Sequence, residues 1–434
     1  MSFSPWSCIF GKHSTQTPMV RVILSFYFLA AFFCGVAFAE RVGPWDLDRL
    51  KTEVPAVKWL VRDKPVHSLT YEGEAFKGAP TEVFAFYASP STLGRAAEGG
   101  KFPGVVLIHG GGGTAFAEWV HLWAKRGYAA IAMDLGGTRP EDPEFDVDGL
   151  VKTPGSRSKN RVRLSRGGPD QGHGEKFDSI GGETSDDWPF HAVSSVIRAH
   201  TLLRSFSVVD AGSTAVTGIS WGGYTTCLAA SLDDRFKAAV PVYGCGFLHE
   251  GESVQKPSID KLGERRMDWV REYDPGSHLN RCTVPIFFVN GTNDVHYVLD
   301  SYMKSYGMVR GTKQIRIQVN MPHGHPAGWA PQEIGLFIDS HCKKGVPLPV
   351  LGKPLERDGK VVVSFRAETG VAKAQLHFTT DEGVRSKRVW RSMDADVQRG
   401  QVIAEMPPTA ANTWFISVTD ERGAMVSSEV FFRP

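Results

Sequence analysis

The sequence predicts an α/β fold: a doubly wound, mostly parallel sheet with lid insertions, followed by a small C-terminal all-β sandwich. Three observations lead there. Short apolar runs alternate with amphipathic stretches over roughly 250 residues, the pattern of strands covered by helices on both faces. Beyond Pro347-Leu348-Pro349 the texture changes to about six brief strands separated by turn-forming residues, as a sandwich requires. Within the alternating region, the turn Gly218-Ile219-Ser220-Trp221-Gly222-Gly223 joins an apolar run directly to an amphipathic one.

Taken in order, residues 1–39 carry no acid, two bases (Lys12 and Arg21) and an apolar run from Val22 to Ala39. The run ends Ala37-Phe38-Ala39 before Glu40, the small-x-small pattern of a secretory cleavage site. At about 18 residues the run is borderline for a membrane anchor, and its ending favours cleavage. A signal peptide is therefore expected, with export to the periplasm or exterior and no stable membrane insertion afterwards. Alternating segments at His67–Gly73 and Thr81–Ser89 predict an antiparallel pair.

Strands are then expected at Gly104–His109, Ala129–Asp134, Ser213–Gly218, Ala238–Tyr243, Pro285–Asn290 and Gln314–Val319. Helices are expected at Ala115–Arg126, Asp187–Ser205, Gly222–Leu232, Tyr297–Met308 and Pro331–Lys344, the last opened by a proline whose missing N–H costs nothing there. Two insertions interrupt the alternation, Gly136–Asp186 and Gly246–Leu279, long enough to be lids. The first holds Lys152, Arg157, Lys159, Arg161, Arg163 and Arg166, a solvated surface or an attractor for an acidic substrate. The C-terminal strands are expected at Lys360–Ala367, Lys373–Thr379, Val384–Val389, Gln401–Met406, Thr413–Thr419 and Ser427–Phe432. The organisation predicted is 1–39 signal peptide, 40–347 catalytic domain and 348–434 β-sandwich.

Charge narrows the function. The formal net charge of +2 rests on the two bases of the leader, so the remainder is neutral. Nucleic acid is not the expected partner, because phosphate binding needs a basic excess. Four cysteines lie beyond the leader, Cys227, Cys245, Cys282 and Cys342, and both two disulfides and four buried thiols fit the sequence.

The chemistry centres on Ser220. A G-x-S-x-G pattern alone is weak, but here it sits between a strand and a helix, the setting of a nucleophile elbow. Acyl transfer builds charge on a carbonyl oxygen, so oxyanion donors are needed. The amide of Trp221 is one candidate, and Gly110 and Gly111 of the run His109-Gly110-Gly111-Gly112-Gly113 are the others. No Lys-Ser/Thr follows that run, which excludes a phosphate loop. Gly110, Gly112 and Ala115, with Asp134 ending the next strand, also fit a dinucleotide fingerprint, but that reading leaves the elbow unexplained. No cofactor is expected.

The acid and base should follow the nucleophile in the order Ser, acid, His. Asp294, in Asn290-Gly291-Thr292-Asn293-Asp294, stands on the loop after a strand. Two histidines compete for the base, His323 and His325 in Met321-Pro322-His323-Gly324-His325-Pro326, and His325 is preferred. No acid or cysteine cluster accompanies the pair, so no metal site is expected.

The elbow, the glycine run, the Asn-Gly-Thr-Asn-Asp loop and the His-Gly-His segment together resemble an α/β-hydrolase. Within that superfamily the chain is similar to the acetyl xylan esterase and dienelactone-hydrolase-like group, which borders the prolyl oligopeptidase catalytic domains. The resemblance covers roughly Glu40–Gly345 and implies a triad of Ser220, Asp294 and one of the two histidines. Two departures qualify it. Dienelactone hydrolases use Cys where this chain has Ser220, and too few residues precede His109 to build the propeller of a prolyl oligopeptidase. The expected activity is an exported serine esterase acting on acetyl or related esters of carbohydrates. A serine peptidase or amidase, and a non-catalytic scaffold on the same fold, are the alternatives.

Overall fold

A computed structural model describes residues 42–95, 100–141, 161–172 and 174–433. The expected signal peptide and the basic residues Lys152, Arg157 and Lys159 lie outside them. Among the described residues no helix is long and apolar enough to cross a membrane.

The chain begins with helix α1 (Leu47–Thr52), then antiparallel β1 (Val57–Val61), β2 (His67–Glu72) and β3 (Glu82–Ala88). The alternating core follows: β4 (Phe102–Ile108), α2 (Ala117–Lys125), β5 (Ala129–Met133), a small hairpin β6 (Thr138–Pro140) and β7 (Arg161–Arg163), α3 (Trp188–Ser205), β8 (Val209–Ile219), α4 (Trp221–Leu232) and β9 (Ala238–Val242). After the short helices α5 (Lys256–Asp260) and α6 (Arg266–Tyr273) come β10 (Ile286–Gly291), α7 (Leu299–Met308), β11 (Lys313–Gln318), α8 (His325–Trp329) and α9 (Gln332–Cys342).

The sheet runs β1-β2-β3-β5-β4-β8-β9-β10-β11, and the six strands from β5 onward are parallel. Parallel strands need crossovers, and covering both faces requires strands apolar on both sides. The sequence meets that demand: Val105, Val106, Leu107 and Ile108 of β4 are all fully buried, as are all residues of β9. Helix α3 opens with Pro189 in its first turn. Helices α2 and α9 are tied by the Arg126–Asp339 ion pair at 2.7 Å, with the Tyr128 hydroxyl donating to the same carboxylate.

The C-terminal residues add β12 (Val350–Leu351), β13 (Leu355–Arg357), β14 (Lys360–Arg366), β15 (Val371–Thr379), β16 (Arg391–Asp394), β17 (Asp396–Gln398), β18 (Gln401–Glu405), β19 (Thr413–Asp420), β20 (Met425–Ser427) and β21 (Phe431–Phe432). They form two antiparallel layers, β20-β19-β15-β16 and β12-β14-β18-β17, whose inward residues Leu376, Ile416, Val363 and Val402 are buried. The first layer continues the central sheet. Strand β20 pairs antiparallel with β11 at Ser427 and Ile315, covering the β11 edge. Ser427 Oγ accepts from the Ile317 amide at 2.9 Å, and Glu333 Oε1 accepts from the Met425 amide at 2.7 Å.

Two expectations for these strands are corrected. Val384–Val389 is not a strand: Arg385–Lys387 forms a 3₁₀ turn, and the edge strand comes later, as β16. Both flanking valines are exposed, at 51% and 67%, so the segment has no apolar face to bury against a sheet. Ser427–Phe432 breaks into β20 and β21, which pair with opposite ends of β19. All four described cysteines are free thiols; Cys227, Cys245 and Cys282 are buried.

Candidate active site

The site forms at the carboxyl ends of the parallel strands, where the loops after β4, β8, β10 and β11 converge. Strand β8 delivers Ser220 and α4 starts at the next residue. Ser220 takes φ 59° and ψ −119°, in the left-handed half of backbone space that a side chain ordinarily avoids. Its amide is fixed by the Val242 carbonyl at 2.8 Å. The turn fits only because its neighbours are glycine. A Cβ on Gly222 would stand 2.1 Å from the Ile108 carbonyl oxygen, and one on Gly218 would stand 2.2 Å from that of Gly222.

His323, on the loop after β11, bridges nucleophile and acid. Its Nε2 lies 3.0 Å from Ser220 Oγ and its Nδ1 lies 2.7 Å from Asp294 Oδ2. The other Asp294 oxygen accepts from the amides of His296 and Tyr297, both at 2.8 Å. With Nδ1–H donated to Asp294, the lone pair of Nε2 faces the serine hydroxyl, the tautomer a general base needs. The imidazole is held flat by Tyr243, whose ring stacks at 4.6 Å and 29°, and Tyr297 is nearly parallel to it at 6.4 Å. Tyr243 itself sits at φ 55° and donates its hydroxyl to the Pro322 carbonyl at 2.6 Å.

The preference for His325 is thereby corrected. His325 opens α8, and its Nε2 accepts from the Gly110 amide at 2.9 Å, away from the relay. Burial pulls its pKa down to about 3, so it stays neutral. The same bond bears on the oxyanion candidates. The Gly110 N–H is engaged by His325, so of the three expected oxyanion donors it is the one already bound within the protein. Gly111 must lack a side chain there, because a Cβ would meet Trp221 Cδ1 at 2.8 Å.

The glycine run is braced on every side. Buried His109 donates from Nδ1 to the Gly110 carbonyl at 2.8 Å and accepts the Leu135 amide on Nε2 at 2.9 Å. Gln171 Nε2 donates to the Gly113 carbonyl at 2.8 Å, and the Arg161 guanidinium donates to that of Gly112. Lys176 is 4% exposed; its ammonium bonds the Gln171 and Gly172 carbonyls and lies 5.4 Å above the rings of both Trp188 and Trp221. Desolvation draws its pKa down to about 8. Asp134 is fully occupied locally, accepting from Thr114, Gly136 and Thr138, and so presents no carboxylate to a ribose.

Gln171, Lys176 and Tyr243 were not singled out by sequence reasoning. The insertion's composition marks a loop but not which of its polar residues turn inward, and Tyr243 carries no motif.

The prolyl oligopeptidase family matches residues 165–334. No curated protein sequence matches the chain. Among solved structures, an acetyl xylan esterase from a Paenibacillus species is similar at 20% identity and a TM-score of 0.51, covering 68% of this chain and 92% of that one. An acetyl xylan esterase from a Thermoanaerobacterium species aligns at 15% identity and TM-score 0.49, over 68% and 90%. An acylaminoacyl peptidase from Pyrococcus horikoshii aligns at 18% identity and 0.45, over 64% of this chain but 42% of its own. At such identities the likeness bears on fold. The parallel sheet order, the elbow after β8 and the match over 165–334 agree: this chain has the α/β-hydrolase fold.

Proposed function

We propose that this chain is an exported serine esterase that hydrolyses carboxylic esters, acetyl or related esters of carbohydrates, through an acyl-enzyme. The observation that carries the reading is the relay Ser220–His323–Asp294, with contacts of 3.0 and 2.7 Å under the glycine run. Ser220 Oγ attacks the ester carbonyl carbon while His323 Nε2 takes its proton, and Asp294 stabilises the imidazolium. The developing oxyanion is met by the amides of Trp221 and Gly111, helped by the positive N-terminus of α4. The tetrahedral intermediate collapses as His323 protonates the leaving alcohol. A water deprotonated by His323 then attacks the acyl group, and Ser220 is released with the carboxylic acid.

The ester, its carbohydrate carrier and export are supported by the resemblance and by the Ala37-Phe38-Ala39 ending of the leader. A peptidase reading draws support from the prolyl oligopeptidase match over 165–334. Fluorophosphonate labelling of the wild type, absent in Ser220→Ala, tests the nucleophile; an unlabelled wild type favours a scaffold. Turnover of p-nitrophenyl acetate against an aminoacyl anilide separates the enzymes, and preference for the anilide sinks the esterase. A screen of acetylated oligosaccharides then addresses the natural ester.

A further inference from the structure

We infer that His325 is a positioning residue for the oxyanion loop: its Nε2 lone pair holds the Gly110 N–H and so, together with the bonds to the Gly110 carbonyl, fixes the backbone of Gly110 that presents the next amide, that of Gly111, to the oxyanion. The inference rests on the reading of Ser220 as nucleophile and adds to it a residue that touches no substrate.

The two peptides on either side of Gly110 are each held by a histidine, the two histidines coming from different parts of the chain. His325 accepts its N–H at 2.9 Å; His109 donates to its carbonyl at 2.8 Å, where the Gly113 amide adds a bond at 3.0 Å. The fit leaves no slack. A Cβ on Gly113 would lie 2.8 Å from His325 Nε2, and one on Gly110 would lie 3.2 Å from it and 2.9 Å from Ser220 Cβ. The ring is seated edge-on against Phe116 at 4.7 Å and beside Trp329 at 6.5 Å. Four glycines have no intrinsic preference for one loop conformation, since glycine visits both halves of φ space. An oxyanion donor works only when it is preorganised. Part of the order the loop needs therefore comes from outside it, through His325, and that acceptor must be neutral, because an imidazolium has no lone pair to offer an N–H.

The test compares three proteins on p-nitrophenyl acetate across pH. His325→Phe keeps a ring against Phe116 and Trp329 but removes the acceptor; His325→Gln places an amide oxygen near the Nε2 position. Phe is expected to lower kcat about 10- to 100-fold with KM within about threefold, a fraction of the effect of deleting an oxyanion donor. Gln is expected to restore most of it, and the acid limb of the pH profile is expected to stay in place in both variants. A wild-type kcat in His325→Phe overturns the inference, as does a Gln variant no better than Phe. An acid limb that moves in either variant makes His325 a proton-transfer group and also overturns it. Fluorophosphonate labelling separates the two levels: an unlabelled wild type defeats the esterase reading itself, whereas a labelled wild type with an unaffected Phe variant defeats only the role of His325.

Discussion

His323 Nε2 stands 3.0 Å from Ser220 Oγ although 103 positions separate them in the chain. The relationship is made by β8 and β11 ending at the same edge of the parallel sheet, with β9 and β10 between them. It sets a clear hierarchy between the two histidines of the His-Gly-His segment.

Replacing His323 by Ala removes the group that takes the serine proton. We expect kcat for p-nitrophenyl acetate to fall by about 10⁴-fold or more, well beyond the effect of His325→Phe. Equal losses in the two variants would mean that the relay is misassigned.

Asp294→Asn preserves the shape of the loop but offers an amide where Nδ1–H needs a carboxylate. The imidazole then loses the partner that fixes its tautomer, and kcat is expected to drop by about 10⁴-fold with the fold intact. Circular dichroism and urea midpoints near wild type would accompany that loss; a kcat within tenfold of wild type would remove Asp294 from the relay.

Acid should destabilise the protein before its carboxylates titrate. Burial lowers the pKa of His109 to about 4 and that of His325 to about 3, from the ordinary 6.5. The unfolded chain takes up these protons as pH falls below about 6.5, whereas the folded chain refuses them. The stability held by the neutral rings is thus complete above pH 6.5 and is lost as pH falls toward about 4 for His109 and about 3 for His325. His109 alone accounts for up to about 3 kcal/mol over that window. Urea midpoints between pH 7 and 4 measure the slope, which should be shallower in His325→Gln; a flat profile would contradict the burial argument.

The seam where β20 joins the central sheet at β11 depends on Glu333. Its carboxylate, 3% exposed, accepts the Met425 amide and faces the Arg316 guanidinium at 3.3 Å. Glu333→Ala leaves a buried cation without its carboxylate and an amide without its acceptor, at a cost of about 3 kcal/mol or more. A lowered urea midpoint with esterase kcat maintained in the folded protein is the expected result. No change in midpoint would show that the seam is held elsewhere.

Much of the architecture was legible in the chain. The runs Val105–Ile108 and Ile286–Val289 have no polar side, which only a doubly covered strand can use, and the predicted helices lie within a few residues of α2, α3, α4, α7 and α9. Val384–Val389 misled because two valines flank a charged turn: apolar character at its ends imitates a strand when the cross-strand partners are unknown.

The sequence by itself determined the alternation of strands and helices from β4 to α9, the nucleophile turn and the loop that holds Asp294, because these depend on local periodicity and on steric demands within a few residues. What only the tertiary structure decided is which histidine reaches the serine and which glycine amide the other one holds. His323 and His325 are two residues apart in the chain, one on the loop after β11 and one at the start of α8, and nothing in the sequence distinguishes them. The ring stack of Tyr243 and the carboxylate of Asp294 draw one toward Ser220, while the Gly110 amide and Phe116 hold the other against the glycine run. Those partners come from distant stretches of chain, so the choice exists only once the sheet has brought its loops together.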